Sequence, residues 1–407
     1  MLGKGMSLGV VLGVMAAALL AVSAPVQGTD IIEVIDLGTL GGTESRAYGL
    51  NASGDVTGSY MVGGSNHAFV WHDADGDWEV DAGEMQDLGT LGGGRSVGRA
   101  INDAGQVTGW ADLQTLGNYR AFVWTDTDGD WQGDPGEMVN LGTLGITSGT
   151  HSVGYDINNA GQVTGISYLD AAFTKRRSFR YTDLDSDGVA DPGEMRNMGT
   201  LGGQVSQGFG INTAGNVVGL STQVSGTQQT FRWIDGDADN IVDPGEMVAL
   251  VSPSTPSTGY EINDSGEIAG YFESGGVSHA YYYDPNVGMT DLHGLLGAAE
   301  SWAYGVNDDG MVSGTYLTSG GDQHAFVYDP DSAEVTTLDD LLLAGSGWEL
   351  FTARDIEGNM VCGWGILDGE VHAYLAIHTE GEESPEPVTL LLVGGGAMVL
   401  LRRRRRK

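Results

Sequence analysis

The stretch Ile31-Ile32-Glu33-Val34-Ile35-Asp36-Leu37-Gly38 reads as the end of a structural unit that has no beginning. Its closing tripeptide returns as Asp87-Leu88-Gly89, Asn140-Leu141-Gly142 and Asn197-Met198-Gly199, then degenerates at Ala249-Leu250, Asp291-Leu292 and Leu338-Asp339. Successive copies start 51, 53, 57, 52, 42 and 47 residues apart, so the loops inside a unit absorb insertions. At the other end the last copy stops near Ile377 after its third β segment. The orphan strand at the N-terminus is the fourth segment which that copy lacks. Seven units of about 50 residues, one of them assembled from both chain ends, predict an all-β, seven-bladed β-propeller closed by its N- and C-terminal strands. A β-solenoid is the alternative, although its coils are shorter and more uniform.

Within a unit the first segment ends in an apolar residue and Asn, as in Leu50-Asn51, Ile101-Asn102, Ile157-Asn158, Ile211-Asn212, Ile262-Asn263 and Val306-Asn307. An Asn-x-x-Gly turn follows, suited to a type I turn closed by glycine, with the Asn side chain able to bond the turn backbone. The seventh copy, Asp355-Ile356-Glu357-Gly358, loses the Asn. A second segment alternates, as in Gln106-Val107-Thr108-Gly109. The third runs His67 to Trp71, matched by Arg120 to Trp124, Ser178 to Tyr181, Thr230 to Trp233, His279 to Tyr283, His324 to Tyr328 and His372 to Leu375. The first residue of this segment is read as structural, because equivalent positions in different units lie far apart and three copies carry Arg, Ser or Thr.

Composition supports one closed β body: 67 Gly against 10 Pro, with regular apolar segments between the glycines, signals many tight turns and not disorder. The single cysteine, Cys362, excludes an internal disulfide framework and is read as a buried strand residue. Setting aside Lys4, Glu386 and the six basic residues at 402–407 leaves 11 positive against 54 negative side chains, a body near −43. That charge argues against nucleic acid or an anionic membrane as a partner of the body, because both would be repelled.

The strongest chemical signal lies between the third and fourth segments of four consecutive units. The loops supply Asp73, Asp75, Asp77, Asp81 and Glu84; Asp126, Asp128, Asp130, Asp134 and Glu137; Asp183, Asp185, Asp187, Asp191 and Glu194; and Asp235, Asp237, Asp239, Asp243 and Glu246. Counted from the first Asp, the carboxylates fall at places 1, 3, 5, 9 and 12, the spacing of EF-hand calcium loops, in which the last Glu binds through both oxygens. Only the third loop has Gly at the sixth place, Gly188, where the others have Trp78, Trp131 and Asn240. No amphipathic helices flank them. The expectation is four calcium loops set in β-hairpins, with calcium as a structural staple.

Residues 1–28, with Lys4 and an apolar run to about Val22, have the layout of a secretory signal peptide. Residues 29–378 form the repeat body and 379–384 a linker. The tail reads Pro385-Glu386-Pro387, then apolar residues from Val388 to Leu401, then five arginines and Lys407. Its 14 apolar residues would reach about 21 Å as a helix, short of a hydrocarbon core of about 30 Å. In its triplet, Gly-containing apolar stretch and terminal Arg cluster, residues 385–407 closely resemble the PEP-CTERM sorting signal of exported bacterial proteins. That resemblance implies transient membrane anchoring, recognition by an exosortase-type protease, and delivery to the cell surface or extracellular matrix. The His67-Ala68-Phe69 repeat, over residues of roughly 36 to 376, resembles the HAF family of bacterial extracellular repeats, which is defined by sequence more than by activity.

If the strands alternate up and down, the Asn hairpins and acidic loops share one face. The stretches Glu44 to Arg46, Gly94 to Arg99, Gly149 to Ser152 and Glu300 to Trp302 then surround the channel mouth on the other. Aromatics after the second strand (Tyr60, Trp110, Tyr271, Tyr316, Trp364) suit stacking on sugars or packing between blades. No Ser nucleophile elbow, His-Glu-x-x-His motif or Walker loop occurs. The expected role is a calcium-stabilised, non-enzymatic surface or matrix protein associated with exopolysaccharide. The alternative is a secreted glycan-active hydrolase or lyase acting at the channel mouth.

Overall fold

The computed structural model describes residues 31–114, 117–145, 150–236, 243, 245–250 and 255–379. The predicted signal segment and the whole sorting tail, Pro385, Glu386 and Pro387 included, lie outside the described residues. Among the described residues no helix is long and apolar enough to cross a membrane.

The repeat folds as expected into seven antiparallel four-stranded blades, the first six paired in chain order. The first comprises Ser45–Leu50, Val56–Val62, Ser65–Trp71 and the short Met85–Asp87. The innermost strands of the others are Gly92–Ile101, Ser152–Ile157, Gly202–Ile211, Ser257–Ile262, Glu300–Val306 and Trp348–Glu357. One parallel bridge, Arg176 to Val205, joins the third and fourth blades. The seventh blade closes the ring: Ile31–Asp36 pairs antiparallel with Glu370–Thr379, from Ile31 opposite Thr379 to Asp36 opposite Tyr374.

The glycine of each second strand, preceded by threonine in the first three, has a packing cause. Gly58 lies opposite Phe69, Gly109 opposite Phe122, Gly165 opposite Phe179, and so on to Gly363 opposite Tyr374. The aromatic ring lies over the glycine and is fully buried; a Cβ on Gly58 would come within 2.8 Å of the Phe69 ring. The preceding Thr57 hydroxyl donates to the Phe69 carbonyl, which fixes the same pair from the other side.

Blades are tied to one another by two repeated polar devices. A serine five residues before the apolar end of the inner strand donates to the Gly carbonyl that ends the preceding blade and accepts the N–H of that blade's third strand. Ser96, for example, donates to Gly89 and accepts from Ala68, and Ser45 does the same for Gly38 and Ala373 across the closure. At the hairpin face the Asn of each Asn-x-x-Gly turn does more than brace its own turn. The Asn158 Oδ1 accepts the N–H groups of Ala160 and Gln162, and its amide donates to Gln162 and to the Asn212 carbonyl of the next blade. The same inter-blade bond runs from Asn51 to Asn102, Asn102 to Asn158, Asn212 to Asn263, Asn263 to Asn307 and Asn307 to Gly358, at 2.8–3.1 Å. Glu357 stands where the seventh Asn would be.

Removing a buried amide that satisfies four partners strands several of them. Asn158→Ala is expected to lower the unfolding free energy by about 3 kcal/mol, against a few tenths for Asn159→Ala on the exposed rim. Denaturant midpoints of the two variants check this.

Candidate calcium loops and the axial channel

The acidic loops are folded so that their carboxylates converge. Ligand-capable oxygens of Asp73, Asp75 and Asp77 lie within 4.8 Å of one another, as do those of Asp126, Asp128 and Glu137, of Asp128, Asp130 and Asp134, of Asp183, Asp185 and Glu194, and of Asp185, Asp187 and Asp191. Glu84 is buried and its two oxygens accept the N–H groups of Ala74 and Asp81; Glu137 and Glu194 hold their loops in the same way. The first Asp of each loop accepts from places four and six: Asp73 from Gly76 and Trp78, Asp126 from Gly129 and Trp131, Asp183 from Ser186 and Gly188.

These bonds bend the sixth place into the left-handed region whatever residue occupies it, with φ of 60° at Trp78, 58° at Trp131 and 73° at Gly188. For an ordinary side chain that conformation costs on the order of 1–2 kcal/mol. The indoles offset the cost by packing. Trp78 covers Gly54 in the Asn turn of its own blade and packs in the cluster that contains Met360 of the seventh blade. Trp131 stacks on His72 of the first blade, with ring centroids 4.2 Å apart, and His72 in turn contacts Asp55 at 2.6 Å.

Packed carboxylates disturb one another. The charge of Asp77 raises the pKa of Asp75, Asp130 does so for Asp128, and at Asp185 burial and then Asp187 act the same way. At Asp126 burial pushes upward, but the N–H groups of Gly129, Trp131, Asp128 and Asp130 together hold it below the usual carboxylate range. An all-oxygen set with this repulsion fits a hard divalent cation. The fourth loop differs. Asp237 and Asp239 lie outside the described residues, and Asp235 is already paired with the buried Arg180 guanidinium at 3.3 Å, while Glu246 keeps its bonds to Gly236 and Asp243.

The third-strand frame read from sequence requires a correction. Register places the fully buried aromatic two residues after the position in question, so the counterparts of His67 are Arg120, Arg177 and Gln229, not Ser178 and Thr230. Each histidine contacts an acid of the closing motif: His67 with Asp87 at 3.1 Å, His279 with Asp291 at 3.0 Å, His324 with Asp339 at 2.9 Å and His372 with Asp36 at 2.7 Å. Where arginine replaces histidine the closing residue is Asn140 or Asn197, and the guanidinium turns to backbone carbonyls of Thr150 or Gln204. The position is structural, as expected. Cys362 is buried. The aromatics after the second strand divide: Tyr60 donates to Asp87, while Trp364 packs edge-on against Tyr48 of the next blade, 5.6 Å between centroids.

A constellation missed from sequence lies on the axis. Every inner strand carries a β-bulge at one place, between Ala47 and Gly49, Gly98 and Ala100, Gly154 and Asp156, Gly208 and Gly210, Gly259 and Glu261, Ala303 and Gly305, and Ala353 and Asp355. The extra residue points to the axis, giving a belt of Tyr48, Arg99, Tyr155, Phe209, Tyr260, Tyr304 and Arg354. One residue further on, Asp156, Glu261 and Asp355 meet the same channel. Asp156 reaches across to the Ile211 N–H and Asp355 to the Leu50 N–H, each also accepting from its own following residue. Gly210 leaves room for this layer, since a Cβ there would lie 2.7 Å from a Glu261 oxygen. Burial, reinforced by Asp156 and Asp355, keeps Glu261 well above the ordinary carboxyl range, and burial pushes Asp355 up to about 6.

Residues 200–369 match a protein family of unknown function, DUF3466. No curated protein matches the chain. Among solved structures the chain is similar to a puromycin hydrolase S511A mutant complexed with PGG, at 13% identity and TM-score 0.54, covering 87% of this chain and 56% of that one. It is similar to a puromycin-hydrolyzing peptidase from Mycobacterium tuberculosis at 15% identity and TM-score 0.53, covering 84% and 53%. The β-propeller domain of the Trilobed protease from Pyrococcus furiosus aligns at 10% identity and TM-score 0.49, covering 86% and 99%. The chain spans a little over half the length of the two hydrolases, and at these identities the likeness to them shows the fold alone.

Two outcomes follow from the site. Calcium at 100 times its dissociation constant should add about 2.7 kcal/mol per site, so chelation lowers the melting temperature and Asp183→Asn with Asp185→Asn removes one bound ion by elemental analysis. In chelator, Asp355 gives a pH signature. Its folded pKa lies above the unfolded value, so its favourable contribution is complete below about pH 4 and lost as pH rises through about 6. Relative to the parent, Asp355→Asn should therefore gain stability between pH 4.5 and 7.5, by at most about 3 kcal/mol, read from urea denaturation at both pH values.

Proposed function

We propose that the chain is an exported cell-surface or extracellular-matrix repeat protein, stapled by calcium, that binds exopolysaccharide and carries out no turnover. The observation that carries this reading is the convergence of carboxylates in three successive loops, each braced by a buried Glu and by backbone N–H groups before any ion is considered. Asp73, Asp75, Asp77, Asp81 and Glu84, with their counterparts in the other loops, would hold calcium, and exposed acids would share it with anionic sugar. Without calcium a body near −43 repels such a partner. Export and processing by an exosortase-type protease rest on the resemblance of residues 385–407 to the PEP-CTERM signal, in which Pro385, Glu386 and Pro387 are the sorting motif.

One observation favours the glycan-active alternative. Asp156, Glu261 and Asp355 sit together on the axis with raised pKa values, as an acid catalyst requires. Against it, Asp156 and Asp355 each spend both oxygens on backbone N–H groups.

The body should sediment with the producer's isolated matrix in calcium and stay in solution with chelator, with no reducing sugar or unsaturated product released. Association that survives chelation would reject the calcium bridge, and released product would select the enzyme.

A further inference from the structure

Arg99 and Arg354 are the feature of the channel that its structural role does not use. They leave the inner strands of the second and seventh blades at equivalent bulges, on either side of Tyr48 in the belt. Among the described residues neither guanidinium lies within ion-pair distance of a carboxylate or donates a hydrogen bond. Each lies instead over an aromatic face: Arg99 on Tyr48 at 4.6 Å, Arg354 on Tyr304 at 4.4 Å and Tyr260 at 5.6 Å. The Arg99 Nε is wholly buried with no partner. Burial pulls the Arg99 pKa down and the charge of Arg354 adds to this, so the two cations feel each other. Arg95 is committed to Asp112 at 2.7 Å, Arg180 to Asp235, and Arg120 and Arg177 to carbonyls, whereas Arg176 and Arg232 of the third strands share with Arg99 a buried Nε without a hydrogen-bond partner. Neither planar fork is hydrogen-bonded to an anion, although Glu261 and Asp355 of the next layer line the same pocket and feel the charge of Arg354.

We propose that Arg99 and Arg354 form an axial site for a single carboxylate-bearing sugar unit. The guanidinium forks match a planar carboxylate, and the hydroxyls of Tyr48, Tyr155, Tyr260 and Tyr304 around them offer partners for sugar hydroxyls. The surrounding negative charge disfavours a long polyanion in the channel, so the site takes a terminal or isolated acidic residue. This deepens the polysaccharide reading and rests on it for the class of ligand, but it places recognition on the axis, apart from the calcium loops.

The test is titration calorimetry of the full-length chain with trigalacturonate, uncharged trigalactose and inorganic phosphate, in the presence of chelator. Trigalacturonate should bind and trigalactose should not. Arg354→Gln and Arg99→Gln should each weaken binding by about tenfold or more, and Arg354→Lys, which keeps charge but not the fork, should also weaken it. Bound trigalacturonate should protect Arg99 and Arg354 of the unmodified sequence from phenylglyoxal, read by peptide mass, which needs no variant to fold. The loop change Asp183→Asn with Asp185→Asn should leave affinity within about twofold, so a failed calcium reading and a failed axial site give different results. Equal binding of the neutral trimer, undiminished phenylglyoxal labelling, or displacement by phosphate at matching concentration would overturn the proposal.

Discussion

The ring holds its blades in register through one side-chain amide used six times. An Asn at the end of six of the seven inner strands closes its own turn with Oδ1 and uses Nδ2 to bond a carbonyl one blade on, that of the equivalent Asn for five of them and of Gly358 for Asn307. No shorter or apolar residue can serve both ends. The amide therefore fixes the spacing between neighbouring inner strands, and the bulges, the belt and the buried acids all depend on that spacing. Asp355 and Asp156 repeat the principle one layer deeper, with a carboxylate reaching a neighbour's N–H.

The blades are alike in frame and unlike in what their outer hairpins do. In the fifth and sixth blades the third and fourth strands are joined by tight turns, from Asp284 to Gly288 and from Asp329 to Glu334, whereas the first four carry the long acidic loops. In the first two of these the sixth-place tryptophan is strained in its backbone and packed in its side chain. Loop geometry is thus tied to the contact with the preceding blade, through Met360 for Trp78 and His72 for Trp131. The third loop, with Gly188, lacks that aromatic contact and carries its backbone strain at the fourth place instead, at Ser186 with φ of 59°, where the first two loops have Gly76 and Gly129.

Much of this was legible in the chain. The repeat frame, the closure by Ile31–Asp36 and the acidic spacing are local patterns, and local patterns survive without knowledge of neighbours. What was hidden depends on contacts between units. Asn102 signals a turn from sequence, but its bond to Asn158 requires knowing which residues face each other across blades. The belt is four Tyr, one Phe and two Arg, so residue type alone does not mark it as one ring; the signal was the constant place of these residues, three before the Asn or, in the seventh blade, before Glu357. The misplaced frame at Ser178 and Thr230 arose because the third strand was anchored on its variable end and not on its invariant aromatic.

The seam has a mechanical meaning. Glu370–Thr379 is not an edge: Met360–Leu367 lies on one side of it and Ile31–Asp36 on the other, and His372 grips Asp36 across the join. A force applied at the C-terminal end of the ring enters through this strand. It must shear two ladders of backbone hydrogen bonds at once before any blade can unravel. A tether on that side would thus pull on a strand held by two ladders, even though the amide girdle is incomplete there.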